Sequence, residues 1–324
     1  MPDVIDARCK DAIARAARLV LEGGIVAFPT ETVYGLGALA SSDRAVARVF
    51  AAKGRPSINP LIAHVADRSS AAIFAEFDER ALRIAELFWP GPLTMVLPLK
   101  VPLAISRLMN AALPTVAVRV PSHPVARALL EAVELPVAAP SANRSGHVSP
   151  TTAAHVAGEF AADIDLVLDG GPCSVGVEST VIDLSEPDTA MLLRPGGIDR
   201  RKLEACVGPL STPSASTPLR APGMMLRHYS PKTAIRLDAT SVDAGEALLA
   251  FGPQPLEGAS TTLNLSPTGD LEEAASRLYG MMRELDASGA RCIAVMPVPQ
   301  EGLGEAINDR LRRAAVPEEK ANAA

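Results

Sequence analysis

Ile25-Val26-Ala27-Phe28-Pro29-Thr30-Glu31-Thr32-Val33-Tyr34-Gly35-Leu36-Gly37 (25–37) is the stretch on which the fold reading turns. Four consecutive apolar residues without alternation read as a strand buried on both faces, and Pro29 ends it. The polar run that follows leaves the C-terminal end of that strand, the place where open α/β sheets bind ligands. Upstream, Ile13, Ala16, Ala17 and Val20 recur at helical spacing, and Gly23-Gly24 supplies a stop. Downstream, 43–53 reads as a helix and 61–65 as an apolar strand. Further strands are expected at 93–99, 115–120, 136–139, 166–168, 179–184 and 191–193, with helices at 124–133 and 152–160. Some neighbouring strands leave no room for a helix between them, so the sheet is read as mixed rather than purely parallel.

Residues 210–231 break this rhythm. Ser-Thr-Pro-Ser-Ala-Ser-Thr-Pro (211–218) has the composition of a linker, and its prolines disfavour both helix and central strand. Beyond it, 234–237, 247–251, 262–265 and 292–296 read as short strands. Leu271, Ala274, Ala275, Leu278, Met281, Met282 and Leu285 form a helical stripe behind Asp270, an expected N-cap. This second unit reads as a small α/β layer domain, and the polar tail after Ala314 as a frayed end.

The 324 residues carry 31 Lys and Arg against 37 Asp and Glu, a net charge of −6; 48% are hydrophobic and 3% aromatic. That apolar content excludes a disordered chain, and the length suggests two domains. Net acidity argues against coating a nucleic acid through bulk charge, and scarce aromatics argue against base-stacking platforms. Cys9, Cys173, Cys206 and Cys292 form no C-x-x-C pair, so neither a zinc knuckle nor a redox motif is expected. They read as small buried hydrophobes in a reducing, cytoplasmic setting. The acidic start lacks the order of a signal peptide, and no apolar run approaches the ~18–20 residues that cross a bilayer. Charge is uneven: residues 1–150 hold 16 basic and 13 acidic groups, whereas 151–200 hold 2 and 9. The cationic first half suits an anionic ligand, ordinary solvated charge being the alternative.

Gly35-Leu36-Gly37-Ala38-Leu39-Ala40 matches G-x-G-x-x-A but does not follow its strand directly, and Lys53 and Arg55 stand where a ribose-binding acid is wanted. Turn glycines explain it better than a nicotinamide-linked dehydrogenase. G-x-x-x-x-G-K-[ST], G-x-S-x-G and H-E-x-x-H are all missing. Four other segments carry more. They are Pro29–Gly35; Lys53-Gly54-Arg55-Pro56 with Asn59-Pro60 and His64; Ala139–Gly146; and Val177–Asp183 with Arg194-Pro195-Gly196-Gly197-Ile198. Two cations one residue apart at a helix end can clamp adjacent phosphates or merely complement the helix dipole. Small hydroxyl and amide groups beside a glycine suit close backbone approach to a nucleotide. Placement of all four at strand ends points to one shared cleft.

Together these segments resemble the threonylcarbamoyl-AMP synthases in their long form. The resemblance rests on P-T-E-T-V-Y-G-L-G (29–37), K-G-R-P with N-P-L-x-x-H (53–64), W-P-G-P-L-T (89–94), A-P-S-A-N-x-S-G (139–146), S-T-V-I-D (179–183), R-P-G-G-I (194–198) and P-G-M-x-x-x-H-Y-x-P (222–231). It implies a YrdC-like twisted mixed sheet with a concave cleft over 1–209, a linker or lid over 210–232, and a smaller Rossmann-like α/β domain over 233–324. The implied reaction joins L-threonine, bicarbonate and ATP, with Mg2+, into threonylcarbamoyl-AMP and pyrophosphate. A tRNA threonylcarbamoyl transferase would take the product. By the same resemblance Lys53 and Arg55 are the catalytic cations. Asn59, Thr115, Ser141, Asn143, Ser149, Arg194 and Tyr229 join them in the nucleotide site, with Tyr229 closing as a lid. Thr32, Tyr34, His64, Arg119, Ala139 and Ser179 form the threonine pocket, Arg119 being the carboxylate partner. No metal ligands are implied. Met225 and Leu226 stand where the family often has a basic and an aromatic residue, which removes an extra phosphate or stacking contact. The rival from another class is an RNA-binding module using the cationic cleft without chemistry; acidity and few aromatics count against it.

Overall fold

The computed structural model describes residues 2–101, 104–160, 163–214 and 217–317. The first part of the chain runs β1 (Val4–Asp6), α1 (Ala12–Leu21), β2 (Val26–Phe28), β3 (Gly35–Leu39), α2 (Asp43–Lys53), β4 (Ile62–His64), α3 (Arg68–Ala71), α4 (Glu79–Phe88) and β5 (Leu93–Pro98). It continues with β6 (Thr115–Arg119), α5 (Pro124–Val133), β7 (Val137–Ala138), α6 (Ala153–Glu159), β8 (Leu166–Asp169), β9 (Thr180–Asp183), β10 (Met191–Arg194) and α7 (Arg200–Val207). After the linker come β11 (Ala234–Arg236), β12 (Glu246–Ala250), β13 (Thr262–Asn264), α8 (Leu271–Asp286), β14 (Cys292–Val295) and α9 (Leu303–Ala314).

Among the described residues the first ten strands form one sheet in the order β1-β8-β2-β3-β7-β4-β6-β5-β9-β10. Parallel pairs (β2 with β8, β4 with β6, β5 with β9) alternate with antiparallel ones (β2 with β3, β4 with β7, β5 with β6), so the sheet is mixed. The buried run that opens β2 serves both faces. Val26 and Phe28 pack under α1 and α5 with Val20, Leu129 and Leu130, while Ile25 and Ala27 face the opposite core with Val46 and Val49 of α2. Each such fully buried aliphatic or aromatic side chain contributes ~1.5–3 kcal/mol. Helix starts are capped: Asp270, as expected, accepts from the Glu273 amide at 2.8 Å, and Ser42 and Thr152 accept from the Ala45 and His155 amides, each at 3.2 Å.

The second sheet is parallel, ordered β11-β14-β12-β13, and its core gathers Leu249, Leu278, Met282, Ile293 and Ile307 from its strands and from α8 and α9. That same cluster includes Val33, Val148, Val177 and Tyr229 from loops of the first part, so the two cores meet.

One expectation changes, and several elements are added to those read from the sequence. Gly35–Leu39 is not a turn but strand β3, paired on both sides; a Cβ on Gly37 would come within 2.7 Å of the Phe28 ring and 3.1 Å of Val137. Glycine there permits close strand-on-side-chain packing, and a dinucleotide loop is ruled out. β1, α3, α4, α7 and α9 were not read from the sequence. Leu210–Pro231 is without helix or named strand where it is described; Ala215 and Ser216, and 318–324 of the polar tail, lie outside the described residues.

Candidate active site

A cavity of about 40 Å³ lies where both parts of the chain meet. Its walls are Thr30, Thr32 and Val33 beyond β2, His64 and Arg119 ending β4 and β6, and Ala139–Ser141 beyond β7. Glu178 and Ser179 before β9, Arg194 ending β10, Arg55, and Pro222, Gly223, His228 and Tyr229 of the linker complete them. Parallel register puts His64 directly beside Arg119, which is why two separate motifs converge. The irregular register of β10 between Leu192 and Arg194 turns Arg194 toward Ser179. A Cβ on Gly196 would fall 2.3 Å from the Glu178 carbonyl, so the Arg194-Pro195-Gly196-Gly197 turn needs glycine to lie against 178–180.

On one side of the cavity Arg119 is buried in an ion pair with Glu31 at 2.6 Å and donates to the Thr32 hydroxyl at 2.9 Å. Burial alone would raise the Glu31 carboxyl, but the Arg119 charge and hydrogen bond, with the Ser122 amide, hold it below its ordinary range. His64 is pushed down to about 3, first by burial and then by Arg119, so its ring is neutral. Its Nδ1 lies 3.2 Å from the Ile62 carbonyl, an acceptor, which places the proton on Nδ1 and leaves Nε2 with a lone pair. Ser179 Oγ shares a 2.8 Å hydrogen bond with Thr94.

On the other side, Arg55 donates to the Asn59 and Pro60 carbonyls at 3.1 and 3.0 Å, and burial brings it down to about 10, still charged at neutral pH. Arg194 donates to the Ser179 carbonyl at 3.0 Å and the Pro222 carbonyl at 3.3 Å. The cavity therefore collects Arg55, Arg119 and Arg194 against the single carboxylate Glu178, counted among the described residues.

The other expected residues sit in or behind this wall. Lys53 does not border the cavity: its ammonium donates to the Ser141 carbonyl at 2.5 Å and to that of Asn143, tying the 141–143 loop to the end of α2. Burial, then Arg55, pulls the Lys53 amine well below its ordinary value. Asn59, Thr115 and Asn143 lie behind the wall, and Asn59 Oδ1, Thr115 Oγ1 and Asn143 Oδ1 are buried without a hydrogen-bond partner. Asn59 Nδ2 meets Met225 Sδ at 3.1 Å, while Leu226 turns outward. Ser149 donates to Glu178 at 2.5 Å. Tyr34 does not line the cavity: its ring is in the core and its hydroxyl donates to the Gly171 carbonyl at 2.8 Å. Burial, first, and Asp169 raise the Tyr34 phenol above its ordinary value.

Sequence reading passed over Glu31 and Glu178, although both stand inside quoted motifs; an acid flanked by buried β residues was the available signal. Tyr279 and Arg310 were missed as well. Burial would raise the Glu178 carboxyl, but Arg310 and Arg194, together with hydrogen bonds from Ser149 and Arg310, bring it down to about 2.

A family model described as telomere recombination (Sua5/YciO/YrdC) matches residues 18–196. One described as threonylcarbamoyl-AMP synthase, C-terminal domain, matches 198–316. A Pyrococcus abyssi threonylcarbamoyl-AMP synthase is 41% identical over 321 residues, spanning 93% of each chain. A Bacillus subtilis protein of the same name is 40% identical, covering 94% of this chain and 92% of its own. The P. abyssi Sua5 crystal structure with L-threonine superposes with a TM-score of 0.88 at 39% identity over 97% of both chains. Family matches across both parts, near-full-length identity and a common fold agree: the chain belongs to the Sua5/YciO/YrdC family, in the form that carries the threonylcarbamoyl-AMP synthase C-terminal domain.

Proposed function

We propose that this chain is an L-threonylcarbamoyladenylate synthase, a nucleotidyltransferase that converts L-threonine, bicarbonate and ATP into threonylcarbamoyl-AMP and pyrophosphate. The observation that carries the reading is the convergence of Arg55, Arg119 and Arg194 with a neutral histidine on one cavity. Relatives that bear the synthase name and a similar structure that holds L-threonine support it.

In this reading Arg119, fixed by Glu31 and Thr32, uses its remaining N–H groups on the threonine carboxylate. Thr32, Ser179 and the Ala139 backbone enclose the amino acid, and His64 Nε2 accepts from its amine. The threonine amine bonds to the bicarbonate carbon as a C–O bond breaks and water leaves, giving the carbamate. A carbamate oxygen then bonds to the α-phosphorus as the bond to the pyrophosphate oxygen breaks, and the electron pair leaves with pyrophosphate. Fixed cations at Arg55 and Arg194 stabilise the charge that grows on the phosphate oxygens, a role that needs no proton relay. Lys53 holds the 141–143 loop and has one N–H left for a phosphate. Asn59, Thr115, Ser141, Asn143 and Ser149 complete the nucleotide side. Among the described residues no group of three or more His, Cys, Asp or Glu side chains is placed to hold a metal ion. Mg2+ would enter this site with the triphosphate it accompanies.

We assign 1–209 as the catalytic domain, 210–232 as linker and lid, and 233–324 as the second domain, with Tyr229 as the lid residue. About 40 Å³ is far below the ~300 Å³ or more of a ligand pocket, so the linker must withdraw to admit ATP. The product would pass to a tRNA threonylcarbamoyl transferase in the cytoplasm; no described helix is long and apolar enough to cross a membrane. Burial of all three arginines counts against a polynucleotide surface. Pyrophosphate release by the full chain is expected to require L-threonine, bicarbonate and ATP together. Release that is indifferent to threonine would refute the assignment.

A further inference from the structure

The second domain reaches the cavity wall through two side chains. Tyr279 on α8 donates its hydroxyl to the Glu178 carboxylate, 2.9 Å from Oε2 and 3.1 Å from Oε1. Arg310 on α9 donates its Nε to Oε2 at 2.7 Å, and its Nη2 reaches the Pro195 carbonyl at 2.9 Å. The same two residues hold Tyr229. The Arg310 guanidinium lies over the Tyr229 ring, 5.0 Å from its centroid, and Tyr279 stacks on that ring at 5.9 Å with 28° between planes.

Tyr229 has φ 63°, a left-handed conformation that a residue with a side chain keeps only where its surroundings hold it. Helix α9 grips the linker just before it as well. Arg313 Nη1 donates to the Met225 carbonyl at 2.6 Å, and the His228 amide donates to the Arg313 carbonyl at 3.4 Å. Glu178 and Tyr229 border the cavity, whereas Tyr279 and Arg310 do not. Every Arg310 nitrogen donates within the protein, the third to Asp309 at 2.5 Å, so this guanidinium fixes its neighbours.

We infer that Arg310 and Tyr279 are positioning residues through which the second domain sets Glu178 and Tyr229 at the cavity and thereby governs closure of the linker. Only the identity of the enclosed substrates rests on the function proposed above. The physical basis is preorganisation: the ordering cost of a polar, proline-rich linker is offset by contacts that already exist on α8 and α9.

Two readouts on the full-length protein test this. Arg227 Nε donates to the Val316 carbonyl, so tryptic cutting after Arg227 requires the linker to leave α9. Tyr279→Phe removes one hydroxyl and keeps the ring. It is expected to speed that cut, and to raise the KM for ATP more than it lowers kcat, by about tenfold, the effect of one hydrogen bond to a charged group. Arg310→Lys keeps the charge without the fork or the plane, and is expected to fall between the parent and Arg310→Met. Should Arg310→Met fail to fold over an uncompensated Glu178, the double variant Glu178→Gln/Arg310→Met removes both charges; it is expected to fold with the linker still readily cut. Cutting rates and KM within about twofold of the parent in Tyr279→Phe and in the double variant would overturn the inference. So would a kcat that falls in step with Tm at unchanged KM. The proteolysis reads closure without turnover, so a chain that makes no adenylate still answers this question.

Discussion

Two buried carboxylate–guanidinium pairs flank the cavity, and they do different things. Glu31–Arg119 and Glu178–Arg310 are alike in length, 2.6 and 2.7 Å, and in burial, with arginine side chains 4% and 0% exposed. Both partners of the first pair belong to the large sheet and its loops, and Arg119 borders the cavity while its three nitrogens donate to Gly91, Thr32 and Glu31. The second pair spans 132 positions, joins both domains, and leaves no nitrogen of Arg310 without a partner. Equal pair geometry thus stands at the cavity in one case and behind it in the other, and what differs is where the arginine lies, not how it is paired.

The largest effect expected on this comparison is at Arg119. Arg119→Ala leaves Glu31 buried and unpaired, about 3–5 kcal/mol of destabilisation, and removes the proposed carboxylate partner. A thermal melt and threonine-dependent pyrophosphate release should both collapse. Retained threonine saturation in a folded Arg119→Ala protein would erase the distinction between the pairs. Next comes Arg55→Ala, which removes a cavity cation whose protein contacts are two loop carbonyls. Activity should fall by about tenfold to a hundredfold, the scale of one charge-assisted contact of ~1.5–3 kcal/mol, with a much smaller change in Tm.

Acid unfolding sharpens the comparison further. His64 and His228 titrate near 3 when folded against 6.5 when free, both chiefly through burial. The unfolded chain therefore binds more protons below about pH 6.5, and stability falls as pH drops from there toward 3. Glu178, depressed from 4.5 to about 2, adds stability that is complete above its unfolded value and is lost as pH falls from 4.5 toward 2. Tm measured against pH should thus decline in two stages. Glu159 and Glu246, likewise brought down to about 2, share the lower stage. Glu178→Gln should therefore shrink that stage and spare the upper one; an unchanged lower stage would mean that Glu178 is not held as an anion. The smallest effect is expected at Leu226→Ala, since that side chain is 60% exposed. Tm should move by less than about 0.5 kcal/mol equivalent and KM not at all, which a melt and initial rates can check.

Legibility followed distance along the chain. The helix 43–53 and the helix 124–133 appear with the bounds read from the sequence, because cap, stripe and stop lie within one short window. The strands around the cavity appear within a residue or two for the same reason. Gly35–Leu39 was misread because glycine marks turns and tight packing alike; only the Phe28 ring beside Gly37 separates the two. Among site residues, Thr32, His64, Arg119, Ala139, Ser141, Ser179, Arg55, Arg194 and Tyr229 do meet at one cavity. Lys53 and Tyr34 stand behind it, since a side chain's direction depends on which carbonyl is near enough to take its proton.

By itself, then, the sequence determined the mixed α/β class, the break before a second α/β unit, and the motifs whose chemistry suits a triphosphate and a carboxylate. Those properties are written in contiguous residues, through periodicity, turn chemistry and cationic strand ends. Tertiary structure alone decided which carboxylate each arginine meets and that α8 and α9 of the second domain contact Tyr229 and Met225 of the linker. Tyr279 sits in an apolar helical stripe and reads as core; Arg310 lies in a charge-rich helix and reads as solvent-facing. Only the packing of α8 and α9 against residues more than a hundred positions earlier turns the two toward Glu178, and no local pattern encodes a contact of that span.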